Sequence, residues 1–164
     1  MNRIQNSEAI TNLKLILAND DVRAAVAYLN SLSSQRFTSL YRFNDETLHT
    51  LTFFDREHPE IQSSSDIPVL ESYCIFVRES GEIFLTHDAQ QDERAHNHPK
   101  QKMVQSYCGV PLLDQDGKMF GTICHFDFSP GHIADVDVEL LEYMAQLLSK
   151  SISPVDQSIA LNVK

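Results

Sequence analysis

The chain has 164 residues, long enough for one domain to bury a core without disulfides or metals, and its apolar share of 42% is ordinary for a globular protein. No apolar run approaches the ~20 residues of a membrane-spanning helix, and a formal net charge of −10 with no cluster of Lys and Arg repels phosphate backbones, so neither a membrane nor a nucleic acid is an expected partner. The first residues lack the apolar segment and cleavage site of a secretory signal, and three cysteines at no metal-like spacing suit reduced, buried thiols, so the expected location is the cytoplasm.

From Ser7, the spacing of Ile10, Leu13 and Leu17 predicts a helix. Asn19-Asp20-Asp21 interrupts it and offers caps for a second helix carrying Val22, Val26, Leu29 and Leu32. "RFTSLYRF" (36–43) and "TLHTLTFF" (47–54) are rich in aromatic and β-branched residues and read as a hairpin around Asn44-Asp45-Glu46. "REHPEIQSSSDIPVLES" follows, where the Ser-Ser-Ser-Asp run offers to cap a short helix from Ile67.

"YCIFVRE" (73–79) and "EIFLTHD" (82–88) predict a second hairpin around Ser80-Gly81, and "SYCGVPLLDQDGKMFGTICHFD" (106–127) a third around Asp114-Gln115-Asp116-Gly117. The polar connection "AQQDERAHNHPKQKM" between them is a place for ligand contacts. The last predicted helix has two apolar stripes, Val138, Leu141, Ala145, Leu148 and Ile152 beside Leu140, Met144 and Leu147, so it can cover the sheet with one and meet the first helices or a second subunit with the other. The expected organisation is an N-terminal helix over 1–21, a domain over 22–152 and a loose tail over 153–164.

Two constellations could carry chemistry. Alternation along the third hairpin separates Cys124 from His125, and a two- or four-residue loop places Cys108 on the face of His125 and Cys124 on the face of Tyr107. A three- or five-residue loop reverses this. The pair Cys108–His125 is then a candidate dyad, without a visible oxyanion site, against the alternative of core thiols beside a hydrogen-bonded histidine. His87, Asp88, Asp92, His96 and His98 are of metal-ligating types, at a spacing that also suits solvated loop residues. No phosphate-binding glycine loop and no serine nucleophile elbow is present.

"SYCIFVRESGEIFLTHDAQQDERAHNHP", then "YCGVPLLDQDGKMFGTICHFDFSP" and a helix with "LLEYMAQLLS", resembles a GAF domain over residues 22 to 150, most specifically in the G-V-P-L, D-G, G-T and C-x-x-D series. The resemblance implies an α+β fold: a central antiparallel sheet of about six strands, N- and C-terminal helices on one face, and loops and short helices enclosing a small-molecule pocket over the other. It implies a non-catalytic sensory module in signalling, a homodimer through the terminal helices, an unidentified small-molecule ligand or cofactor, and a separate signalling partner protein.

The Asn-Lys, Phe and Asp-Glu signature of cyclic-nucleotide members is missing, and "FNDE" lacks its Lys; Cys124-His125 falls on a strand, unlike a bilin attachment site. Free methionine sulfoxide reductases of this family carry a cysteine in the loop that here reads "NHPKQKMVQ". Candidate ligand-binding residues are Tyr73, Phe76, Thr86, Asp88, Asp92, His98, Tyr107 and Cys124. The alternatives are a redox enzyme of the free methionine sulfoxide reductase type using Cys108 or Cys74, and a ligand-free protein–protein interaction domain presenting the last helix.

Overall fold

A computed structural model describes residues 3–19 and 21–151; the tail 153–164 and Ile152 lie outside the described residues. Helix α1 (Arg3–Ala18) is followed by α2 (Val22–Leu32), which Asp21 begins by accepting a 2.9 Å hydrogen bond from the Ala24 N–H. The strands are β1 (Phe37–Asn44), β2 (Thr47–Asp55), β3 (Ile67–Pro68), β4 (Phe84–Thr86), β5 (Ser106–Leu113) and β6 (Met119–Asp127). Helix α3 (Cys74–Ser80) precedes β4, and α4 (Asp135–Ser151) closes the described chain. The sheet is antiparallel throughout, in the order β3-β2-β1-β6-β5-β4.

Two expected elements differ. Residues 74–80 form a helix, not the first strand of a hairpin. Ser72 Oγ accepts the Cys74 N–H at 3.1 Å, and Gly81 at φ 71 ends the helix by donating its N–H to the Val77 carbonyl at 2.8 Å. The glycine read as a hairpin turn is therefore a helix cap, while burial of Cys74, Ile75 and Val77 overrides their strand preference. At Ile67 the chain extends against Leu48 before a single 3-10 turn over Val69–Glu71. Pro68 pushes the residue before it out of the helical region, so the serine run does not cap a helix there.

Helices α1, α2 and α4 cover one face of the sheet, where Leu40, Cys108, Val110, Leu112 and Ile123 meet Leu13, Val26, Leu29 and Leu141. Both stripes of α4 are used inside this layer: Leu140, Leu141, Met144, Ala145 and Leu148 are buried, and α4 packs on β5 and α1. Leu141 and Leu148 are thus core residues.

The β5–β6 turn has three residues, closed by an Asp114 N–H bond to the Lys118 carbonyl at 2.8 Å, with Gly117 at φ 80. A three-residue loop alone would place Cys108 opposite Cys124. The register shifts between Leu112 and Leu113, leaving Phe120 as an extra residue in β6, and Cys108 comes to lie opposite His125. The faces are those of an even loop, reached through an odd loop and a bulge.

On the helix side, Asn30 Nδ2 donates to Thr38 Oγ1 at 3.0 Å, and Thr38 Oγ1 lies 2.7 Å from His125 Nδ1. Arg56 Nε donates to Asn30 Oδ1 at 2.9 Å. Burial, and then the Arg56 charge, push His125 from 6.5 down to about 3. Between these values the unfolded chain binds a proton that the folded chain refuses, so stability is full above about pH 6.5 and falls as pH is lowered, by up to about 1.4 kcal/mol per pH unit. His98, lowered first by burial, acts in the same direction. His125→Asn, whose amide oxygen can replace Nδ1 as acceptor, should be less stable at pH 7.5, yet its urea midpoint should move less than wild type's between pH 7.5 and 5.5. An unchanged pH slope would assign the effect elsewhere.

Candidate functional site

The opposite face of the sheet is roofed by 64–73 and 100–104 over a cavity of about 230 Å³. Seven of its lining residues are aromatic, so its walls are rings. Phe37 of β1 stacks on Phe126 of β6 with centroids 4.8 Å apart, and Tyr73, just before α3, meets Tyr107 of β5 edge-on at 5.5 Å. Glu71 and Lys100 are the charged side chains in the lining. The volume falls below the ~300–1,000 Å³ usual for drug-sized ligands, which suits a smaller molecule.

Three phenols reach the cavity, and burial raises each of them, Tyr73 to about 12 and Tyr41 and Tyr107 well above the ordinary phenol value. They remain neutral hydroxyls at physiological pH. Tyr73 donates to the Val104 carbonyl at 3.0 Å, which ties the roof to the start of α3. Ser39, between Phe53 of β2 and Cys124 of β6, lies in the floor with its hydroxyl fully buried and without a hydrogen-bond partner among the described residues. It is near enough to Tyr41 to oppose the effect of burial there, but outside hydrogen-bond geometry. An unpaired buried hydroxyl costs about 1–3 kcal/mol.

Behind the Tyr107 wall lies a thiol cluster. Cys74 Sγ is 3.1 Å from the Tyr107 hydroxyl and 3.2 Å from Thr122 Oγ1, and the buried Cys124 thiol is its neighbour. Burial raises the Cys74 thiol, but the polar groups around it, Cys124, Ser72, Thr122 and Tyr107, outweigh burial and bring Cys74 to about 7, while burial drives Cys124 up. Cys108 faces the helices, where burial pushes it up to about 12. The pair Cys108–His125 is therefore a cross-strand contact between two neutral groups, with His125 Nδ1 bonded to Thr38.

Of the residues singled out in the sequence, Tyr73 and Tyr107 line the cavity. Cys124 lies beneath it. His98 packs on Tyr73 at 4.7 Å, but both its ring nitrogens are occupied: Nε2 donates to the Ser72 carbonyl at 3.1 Å and Nδ1 accepts the Lys100 N–H at 3.0 Å. Phe76 packs outside the cavity against Phe84. Asp88 caps the 3-10 turn Ala89–Gln91, and Asp92 caps Glu93–Ala95. Arg94, desolvation-opposed and aided by Thr86, holds Asp92 down to about 2. No group of three or more His, Cys, Asp or Glu among the described residues is placed to hold a metal ion, and His87 instead accepts the Ile133 N–H at 3.0 Å and stacks on His132.

Among the lining residues that sequence reasoning missed, Phe37, Ser39, Tyr41 and Phe126 come from β1 and β6, Phe53 from β2, and the others from the roof and just past the end of β6. Alternation carries the signal for the first four: β1 and β6 pair with Phe37 opposite Phe126, and Ser39 and Tyr41 follow at two-residue steps.

The family model for the GAF domain matches residues 18–152. Among curated proteins, the chain is 30% identical over 89 residues to a cyclic di-GMP phosphodiesterase of Pseudomonas aeruginosa, a stretch that is 52% of this chain and 15% of that protein. The chain thus spans a small part of that relative's length. Among solved structures, it resembles the GAF domain of an Acinetobacter phosphoenolpyruvate-protein phosphotransferase (TM-score 0.73, 14% identity, 97% of this chain and 98% of the other). It also resembles a free methionine-R-sulfoxide reductase of Neisseria meningitidis solved with its substrate (TM-score 0.71, 16% identity, 88% and 86%). At these identities the likeness is one of fold. Among the described residues, no helix is long and apolar enough to cross a membrane.

Gly109 sets the position of the Tyr107 wall. A Cβ there would come within 2.3 Å of the Tyr107 hydroxyl and 2.7 Å of its ring carbons. Gly109→Ala should displace the ring, separate it from Cys74 and cost about 1–3 kcal/mol in urea denaturation. Tyr107→Leu in the same background should recover part of that loss. No recovery would mean that the strain lies in the backbone.

Proposed function

Because the chain belongs to the GAF domain family, we propose that it is a cytoplasmic sensory domain that binds a small molecule in the cavity over β1, β5 and β6 and passes occupancy to a separate partner protein. The observation that carries this reading is an aromatic-walled cavity whose floor holds a buried hydroxyl without a partner among the described residues. The domain extends over 22–152 in this reading, and Tyr73 and Tyr107 are its binding residues. Dimerisation through the terminal helices belongs to the same reading, and Leu15 of α1, 62% exposed, is an apolar side chain available for it.

Native mass spectrometry of the purified protein reads the oligomeric state and any co-purified molecule together. A metabolite panel followed by thermal unfolding should contain a compound that raises Tm by about 5–10 °C at 100 times its Kd. Ile67→Trp, which obstructs the cavity from its lining, should abolish that shift. If nothing in the panel shifts wild type and no molecule co-purifies, the ligand-binding reading fails, and a stable dimer would then favour the interaction domain.

A second reading has its own support in the Cys74–Cys124 pair, two neighbouring buried thiols of which one is brought to about 7. Such a pair could reduce a small sulfoxide, ending as a disulfide with release of water. Against it, both sulfur atoms are fully buried behind Tyr107, and neither cysteine lines the cavity. Dithiothreitol-dependent turnover of free methionine sulfoxide that is lost in both Cys74→Ser and Cys124→Ser would establish it; absence of turnover would leave the sensory reading.

A further inference from the structure

The hydroxyls around the cavity differ in whether they are engaged. The Tyr73 hydroxyl is bonded to Val104, the Tyr107 hydroxyl sits on Cys74, and Ser72 Oγ accepts the Cys74 N–H. Among the buried hydroxyls of the lining, Ser39 Oγ is the one without a hydrogen-bond partner among the described residues, in the cavity floor with the Tyr41 phenol two residues along the same face. A molecule entering the cavity therefore meets aromatic faces and, at depth, a hydroxyl that no described residue engages.

Charge narrows the class. No arginine lines the cavity, and Lys100 is its single cation, set against Glu71. A phosphate needs several N–H donors or cationic forks, and a net charge of −10 adds long-range repulsion. At about 230 Å³ the space suits one ring better than a fused, sugar-bearing base. Rings favour offset or edge-on contact with the Phe and Tyr walls.

We infer that the cavity takes a small, phosphate-free monocyclic aromatic compound carrying a ring hydroxyl, which hydrogen-bonds Ser39 Oγ while the ring lies against the aromatic walls. This rests on the ligand-binding reading above and narrows it to a chemical class. The hydroxyl supplies the partner that Ser39 lacks. The same floor gives an unsubstituted ring no polar contact and leaves Ser39 unpaired on binding.

The test uses p-cresol and toluene as probes, with cyclic GMP as the phosphate-bearing comparison, titrated by calorimetry into the full chain and into Ser39→Ala. Wild type should bind p-cresol more tightly than toluene and show no binding of cyclic GMP. Ser39→Ala should weaken p-cresol about 3- to 10-fold and leave toluene unchanged. Without ligand, Ser39→Ala should melt at or above wild type, because it removes an unpaired buried hydroxyl; a lower Tm would show that Ser39 has a partner already and overturn the inference.

Equal loss for both probes, or tighter binding of cyclic GMP than of p-cresol, would also overturn it. If a panel compound binds and Ile67→Trp abolishes that binding while p-cresol does not bind, the chemical class is wrong and the sensory reading stands. If neither p-cresol nor any panel compound binds, both fall.

Discussion

One extra residue in β6 decides which chemistry each side of the sheet receives. With Phe120 bulged out between Gly121 and Met119, Cys108 lies opposite His125 and Gly109 opposite Cys124. Strand alternation then carries Cys108, Val110 and Leu112 to the helices, and Tyr107 and Cys124 to the cavity side. Without the bulge Cys108 would share a face with Cys124, so β5 would turn over against β6, placing Tyr107 in the helix layer and Cys108, Val110 and Leu112 under the roof. Gly121 beside the bulge has no alternative residue, since a Cβ would lie 1.9 Å from the Tyr41 carbonyl oxygen.

The two cores that result differ in kind. The helix side is aliphatic, and its buried polar chain from Arg56 through Asn30 and Thr38 to His125 is satisfied link by link. The other side is aromatic and thiol-rich, and in its floor Ser39 has no hydrogen-bond partner among the described residues. An unfilled hydrogen-bonding position within an otherwise well-packed fold is where binding specificity can be held without loss of the native state.

Much of this was legible in the residues. The strand pairs 37–44 with 47–55 and 106–113 with 119–127 are long and alternating, and their burial agrees with local preference. Residues 74–80 misled because Ile, Phe and Val favour strands, while the signals for a helix, Ser72 at its start and Gly81 at positive φ at its end, also fit a hairpin. Tyr73 and Tyr107 were found as aromatic residues beside polar connections. Asp88 and Asp92 were found for their chemistry, yet each is engaged as a cap of a 3-10 turn. Ser39 is a small residue in a strand, and nothing local distinguishes it; its isolation arises from which neighbours β2 and β6 place around it. Cys74 likewise acquires its partners from sequence positions 33 and 48 residues away.

The fold is shared with proteins that differ in chemistry, so this chain's role rests on its own cavity. A crystal structure of the protein grown with p-cresol tests that cavity most directly. The ring should lie between the sheet and the roof formed by 64–73 and 100–104, with its oxygen within hydrogen-bonding distance of Ser39 Oγ. Ligand bound only elsewhere on the surface, with the Phe37, Tyr73 and Tyr107 rings closed over an empty floor, would contradict it.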